Sequence, residues 1–254
     1  MNLQEMLEHT AKVYLDDRAE LLAGVPDDLF SDASLVTFLN RGADEFARKT
    51  WRLNSRYTVA KAAFTGVTLA TGVKDYDLHS RVLRVLSVNL SDSDLHLRNI
   101  SFEDITSRVF SYPNQDFFDI NSPYIETPGR PNWYAVDVQT RVIRFRATPS
   151  ITENGLVAQM RVSHLPVVQL TVSDPAAVCE IEAEYHELLC MYAAGKALTT
   201  PNVDAAAARL GAGYLQEFDR QCREARNDFM KMTLGPARFR FGGWVRGAWD
   251  RGNY

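Results

Sequence analysis

What most constrains this chain is a change of hydrophobic period between its middle and its two ends. From Leu3 to about Leu53 the apolar residues recur at helical spacing: Leu3, Leu7, Ala11, Tyr14 and Leu15, then Leu35, Phe38, Leu39, Ala43 and Phe46. Pro26, after Gly24, separates the two runs. Ser31 stands where an N-cap belongs, and Asp32 adds negative charge to the first turn. Arg48 and Lys49 suit the helix's end, and the spacing predicts two antiparallel helices. Helical spacing returns near the C-terminus. After the break at Asp174-Pro175, Ile181, Tyr185, Leu188, Tyr192 and Gly195 line one face up to Thr199, Thr200 and Pro201. A longer run follows through Val203, Ala207, Leu210, Tyr214, Phe218, Cys222, Ala225, Phe229 and Met232, and Gly235-Pro236 is expected to stop it.

Between these ends the composition favours strands. Tyr57-Thr58-Val59-Ala60 and the stretch 81–88 are rich in strand formers. Residues 133–138 and 142–146 are parted by Gln139-Thr140-Arg141, which predicts a hairpin. A further strand is expected over 156–162, after the Glu153-Asn154-Gly155 turn signal. Short strands with turns between them suggest a sandwich or a curled antiparallel sheet. Residues 112–131, with Pro113, Pro123, Pro128 and Pro131, read as a long loop of the functional or mobile kind. The fold class expected is therefore α+β, a terminal α-helical bundle with an inserted antiparallel β domain. The expected boundaries are residues 1–56 and 176–235 for the helices of the bundle, 57–175 for the inserted domain, and 236–254 for an extended docking tail.

That tail is unlike the rest. Arg238, Phe239, Arg240, Phe241, Gly242, Gly243, Trp244, Arg246, Trp249, Arg251 and Tyr254 alternate basic, aromatic and glycine residues without a period, which argues against independent folding. Exposed aromatics in a free peptide would be an aggregation hazard, so a docking surface is expected for them. Stacking aromatics beside arginines also suit single-stranded nucleic acid. However, the cations are few, and the chain carries 28 Lys+Arg against 32 Asp+Glu for a net charge of -4. Because phosphate affinity grows with the number of cations, a protein partner is the preferred reading, with Arg238, Phe239, Arg240, Phe241, Trp244, Arg246, Trp249 and Tyr254 as the docking residues.

An active site is not detectable in the sequence. His186-Glu187-Leu188-Leu189-Cys190 comes nearest to a metal motif, but Cys190 stands where a zinc-protease helix needs its second histidine, and no further ligand cluster is visible. A helix-surface histidine and a core cysteine are expected there, with a metal-dependent enzyme using His186 and Cys190 as the alternative. Gly211-Ala212-Gly213 follows no strand, so it reads as tight helix packing and not as a dinucleotide fingerprint. No phosphate loop is present. The carboxylate pairs Asp16-Asp17 and Asp27-Asp28 read as solvated surface. Cys179, Cys190 and Cys222 are too few for a disulfide framework and are expected reduced and buried. Neither a signal peptide nor an apolar run of roughly 20 residues is evident, so folding in cytoplasm and no membrane partner are expected. No cofactor, no metal and no catalysis are expected.

The order of segments resembles the head-to-tail connector (adaptor) proteins of tailed bacteriophages. Leu15-Asp16-Asp17 ends a first helix as in that family. Leu35-Val36-Thr37-Phe38-Leu39-Asn40-Arg41-Gly42-Ala43 carries its asparagine after the leucines, and Lys74-Asp75-Tyr76-Asp77-Leu78 resembles its tyrosine-containing strand. Pro128-Gly129-Arg130-Pro131-Asn132-Trp133-Tyr134 is similar to its Gly-x-Pro-x-x-Tyr approach to a hairpin. The match continues through Ile143-Arg144-Phe145 and Pro149, the Gly155-Leu156 turn and the stretch 161–166. Residues 181–189, with Tyr185-His186 and Leu189, resemble its "Tyr-His-x-x-Leu" helix, although Glu182 stands where a proline is expected. The Phe218-containing final helix closes the match, near Met232.

The resemblance implies a virion protein that forms a ring, commonly twelve-fold, beneath the portal protein. Such a ring extends the DNA channel and gives the tail, nozzle or tube protein its platform. Viral DNA would pass through the lumen without sequence-specific binding, which mild acidity suits. The tail residues would then dock into clefts of the portal ring. A neighbouring neck or tail-completion ring is the runner-up, and a DNA-binding module working through the tail is a third reading.

Overall fold

Ser31 begins the second helix as its sequence predicts. Its Oγ accepts the Ser34 N–H at 3.4 Å, and the helix that follows, α2, runs Asp32–Thr50. In this computed structural model the described residues are 1–15, 30–93, 96–101, 128–137, 139–201 and 203–234. The chain divides into two compact units, Met1–Arg52 with Val168–Tyr254, and Leu53–Val167. Helices and mainly antiparallel sheets make the fold α+β.

The helical unit starts with α1, Leu3–His9, where Asn2 and Glu5 form a reciprocal capping box. Its first free N–H groups are also satisfied, because Leu3 and Gln4 donate to the carbonyls of Ala177 and Pro175. The helix does not continue regularly. Thr10 Oγ1 donates back to the Met6 carbonyl at 2.7 Å, and Thr10–Leu15 is a π-helical turn. The buried residues are Leu3, Met6, Thr10, Tyr14 and Leu15, so Met6 and Thr10 take the places expected for Leu7 and Ala11, which are half-buried.

α2 buries Leu35, Leu39, Ala43 and Phe46. It ends at Trp51, a bulky residue in the left-handed region (φ 57°) whose N–H donates to the Ala47 carbonyl. The Arg226 guanidinium lies 3.9 Å above the Trp51 ring, which offsets part of the backbone cost. α3 is a single turn, Ala62–Thr65, in the other unit. α4, His186–Leu198, follows a 3-10 turn at Ala183–Tyr185, which begins at the Glu182 position. α5 is Ala205–Leu234, with the Asp204 side chain accepting the Ala207 N–H at 2.6 Å. At 1.5 Å per residue its 30 residues span about 45 Å.

Small residues let these helices approach. A Cβ on Gly211 would stand 2.8 Å from Leu198 Cβ and 2.9 Å from the Gly195 carbonyl oxygen, and a Cβ on Gly42 would stand 2.8 Å from the Tyr192 ring. Tight packing thus explains Gly211, whereas Gly213 faces open space. A strap over 168–181 covers α2, where Asn40 grips Leu170 at two points: its Nδ2 donates to the Leu170 carbonyl (2.8 Å) and its Oδ1 accepts the Leu170 N–H (2.9 Å).

The strand unit contains β1 (Asn54–Ser55), β2 (Gly66–Thr68), β3 (Asp75–Asp77), β4 (Val82–Leu90), β5 (Arg98–Asn99), β6 (Trp133–Asp137), β7 (Val142–Arg146) and β8 (Val157–His164). In one sheet β8 pairs with β1 and β2 and also with β4. The other sheet runs β3-β7-β6-β5 and is antiparallel except between β5 and β6. Val67, Leu69, Val85, Val88, Leu90, Tyr134, Ile143, Phe145, Met160 and Val162 fill the core of this unit.

The predicted β6–β7 hairpin forms, with Asp137 opposite Val142 and Arg141 at φ 56°. The Asp137 carboxylate accepts from the Gln139 N–H and the Thr140 hydroxyl, bonds that lower its pKa. The strand expected at 57–60 is not one. Val59–Lys61 is a 3-10 turn leading into α3, because Val59 is 87% exposed and no strand among the described residues pairs with it. The tail 236–254, the Gly235-Pro236 stop, Pro26, the acidic pairs Asp16-Asp17 and Asp27-Asp28, and most of the proline-rich loop lie outside the described residues.

Candidate assembly surfaces

All eight docking residues named from sequence, Arg238, Phe239, Arg240, Phe241, Trp244, Arg246, Trp249 and Tyr254, lie in that undescribed tail. The described residues therefore have to be searched on their own chemistry.

The His186 and Cys190 pair comes first. His186 is not a surface histidine: it is buried, with Nε2 2.8 Å from the Ile181 carbonyl oxygen. It was expected outside because α4 was read with one apolar stripe. Instead α4 is enclosed on most sides, since Leu188, Leu189, Cys190, Ala193, Ala194, Ala197 and Leu198 are all buried too. A helix buried around most of its circumference has no polar face for His186 to occupy. Cys190 is a core residue as expected and directs its thiol at the Met6 carbonyl (3.5 Å). Burial pushes that thiol up to about 11 and the Cys222 thiol up to about 12. Cys179, Cys190 and Cys222 are all free and buried. Among the described residues no His, Cys, Asp and Glu cluster could hold a metal ion. His186 Nε2 and the Cys190 thiol thus meet backbone carbonyls, while His186 Nδ1 is buried without a hydrogen-bond partner among the described residues.

α5 presents a charged outer surface. Its buried stripe is Ala207, Gly211, Phe218, Cys222 and Ala225. The opposite side carries Arg220 between Glu217 and Glu224, with Gln221 also donating to Glu217. The Arg220 bonds, with help from Gln221, hold the Glu217 carboxyl down to about 2. In the strand unit the outer side of the second sheet mixes charges around one aromatic ring, with Arg98, Arg144 and Arg146, the aspartates Asp75, Asp77 and Asp137, and Trp133 on the same face. Arg98, Trp133 and Arg146 stand opposite one another across three strands, and the Arg98 guanidinium lies 5.4 Å from the Trp133 ring. Two register pairs on, Arg144 donates through two nitrogens to Asp75. This hydrogen bonding lowers the Asp75 pKa. Apolar side chains also face solvent: Ile151 and Val73 in the strand unit, and Val168, Val172 and Val178 in the helical unit.

The sequence reading missed a polar group in which buried Ser55 and His164 meet and the exposed Lys61 reaches Ser55. No motif could have found it, because Ser55 and His164 are 109 positions apart. Only the β1–β8 pairing brings them together.

No helix among the described residues is long and apolar enough to cross a membrane. No curated protein matches the chain. A family model described as SU10 adaptor protein matches residues 1–240. With the match extending over nearly its whole length, and in agreement with the connector-like order of its segments, the chain belongs to the SU10 adaptor protein family.

Proposed function

We propose that this chain is a structural adaptor of a tailed phage that closes into a ring, commonly twelve-fold, between the portal protein and the tail. The single observation that carries this reading is the family match over residues 1–240, which spans both units and reaches the tail. A cyclic ring needs two different faces on each subunit, one receiving the other. The charged outer side of α5 and the outer side of the β3-β7-β6-β5 sheet, where Trp133 stands among arginines and aspartates, are the kind of unlike faces that such contacts require. The net charge of -4 suits a lumen through which DNA slides, since each additional cation gripping phosphate would hold it back. In this reading the protein binds portal on one side and a tail, nozzle or tube protein on the other, and its place is the virion.

The tail 237–254 is the proposed portal ligand, because Trp, Tyr, Phe and Arg are the residues that anchor protein interfaces. The test is to mix the purified full chain with the portal ring of the same phage and weigh the product by native mass spectrometry. The expected result is a portal complex carrying a fixed number of copies. The chain lacking 237–254 should keep its circular dichroism spectrum and lose that complex. A full-length chain that never joins the portal, and is absent from purified virions, would overturn the reading. Capture by a tail-completion protein and not by portal would favour the neighbouring neck ring instead.

A further inference from the structure

A second pair of unlike surfaces is matched in charge as well as in apolarity. Between Glu45 and Asp75 the sequence has no acidic residue, and Arg56 and Lys61 lie in that run. Between Arg161 and Lys196 it has no lysine or arginine, and Asp174, Glu180, Glu182 and Glu184 lie in that one. Each run contains an exposed stretch. In the strand unit this is the turn 56–61, where Val59 is 87% exposed. In the helical unit it is the strap 168–178, where Val168, Val172 and Val178 are 62%, 48% and 64% exposed. An apolar centre with charge at its rim is the usual anatomy of a protein interface.

Both stretches are tied to their own unit, so covering them orders little that is not already ordered. In the turn the Lys61 N–H donates to the Thr58 carbonyl and Lys61 Nζ to Ser55 Oγ, each at 3.0 Å. The strap is pinned on both sides of Val172, by Asn40 on Leu170 and by the Gln4 and Leu3 N–H groups on the carbonyls of Pro175 and Ala177. Each stretch also keeps one charge in reserve. Glu180 accepts the Val168 N–H, and Glu182 and Glu184 pair with Arg52, whereas Asp174 is exposed with no side-chain partner among the described residues. Arg56 is exposed in the same way on the turn. By contrast, Arg220 on α5 and Arg144 on the second sheet are already paired within the chain.

Resting on the adaptor reading, we propose that the turn 56–61 of one copy seats on the strap 168–178 of the next, with Val59 against the strap's valines and Arg56 beside Asp174. The turn belongs to the strand unit and the strap to the helical unit, so every copy offers one patch of each kind. Contacts between unlike patches repeat head to tail and can close into a ring. The opposite charges steer the two patches together and disfavour turn against turn or strap against strap.

The test is native mass spectrometry of the full chain at increasing concentration, alone and with the portal ring. Wild type should give multi-copy assemblies. Val59→Asp, Arg56→Glu and Asp174→Arg each alter an exposed side chain, so the circular dichroism spectrum should not change. Each should lower the assembled fraction at least about tenfold. An equimolar mixture of Arg56→Glu and Asp174→Arg should recover assembly, because in an alternating ring each reversed charge meets a reversed one and each native charge a native one. A folding defect has no such rescue. Unchanged yield and copy number in the three variants, or no recovery in the mixture, would overturn this contact and leave the adaptor reading standing. A wild-type chain that stays a single subunit at every concentration, with portal and without, would overturn the contact together with that reading.

Discussion

The helical unit and the strand unit solve the packing problem with opposite materials. The helical unit joins the two ends of the chain, and its closest approaches are made where side chains are missing, at Gly42, Gly195 and Gly211, with Ala193, Ala194, Ala197 and Ala207 buried nearby. The strand unit is one continuous stretch whose core is branched and aromatic: Val85, Val88, Ile143, Val162, Tyr134 and Phe145. Helices that approach closely gain from the absence of a Cβ, whereas a sandwich about 10 Å thick has to be filled from both sheets. The charge differs as well. Acidic residues outnumber basic ones in the sequence of the helical unit, while the two are near balance over Leu53–Val167. Two units of unlike material give one polypeptide two kinds of outer surface.

The largest expected effects test whether the units are separate in energy. Phe145→Ala and Phe218→Ala each remove a fully buried ring, one from each unit, and each should cost about 3–5 kcal/mol. Residue-resolved hydrogen exchange should then show loosening confined to 53–167 for the first and to the helical unit for the second. If either variant loosens both units equally, they unfold as one and the contrast fails. Asn40→Ala comes next. It strips the Leu170 N–H and carbonyl of both partners, and chemical denaturation should show a loss of about 2–3 kcal/mol.

The glycine contrast can be sharpened within a single helix. Gly211→Ala forces a Cβ against Leu198 and the Gly195 carbonyl and should cost about 1–3 kcal/mol. Gly213→Ala, two positions on, meets open space and should gain up to about 1 kcal/mol from helix propensity. Thermal melts of the two variants should move in opposite directions.

The smallest effect concerns Asp75. Its folded carboxyl is lowered by the Arg144 hydrogen bonds, so the pair's contribution is present above the unfolded carboxylate pKa and is lost as pH falls through the folded one. Because the pair is partly exposed, Asp75→Asn should cost no more than about 1 kcal/mol at pH 7. The difference from wild type should vanish in strong acid, and one that persisted there would mean that Asp75 acts through something besides its charge.

Much of the local structure was legible because it depends on neighbours in sequence. Ser31 caps α2, Gln139-Thr140-Arg141 turns the β6–β7 hairpin, and Ala207, Phe218, Cys222 and Ala225 are buried as their spacing requires, with Leu210 and Tyr214 of the same stripe half-buried. Where the reading failed, a distant contact decided. Tyr57-Thr58-Val59-Ala60 has strand composition, but among the described residues no strand pairs with Val59. His186 was placed outside because its surroundings come from other parts of the chain. On the first helix Met6 and Thr10 are buried in place of Leu7 and Ala11, and Thr10 satisfies its hydroxyl on the Met6 carbonyl. The candidate surfaces were less legible still: the sequence pointed to the tail, whereas the Arg98–Trp133–Arg146 row and the Ser55–His164 contact exist only once strands are in register.

By itself the sequence determined the alternation of periods, the helix caps, the turns and the family, because these are set by residues within a few positions of each other or by their order along the chain. Tertiary structure alone decided which strands are neighbours, which side of α4 has no solvent, and which polar groups meet in the interior. The reason is that burial and hydrogen-bond partnership are properties of pairs. A pair separated by a hundred residues leaves no trace in the local pattern of either member.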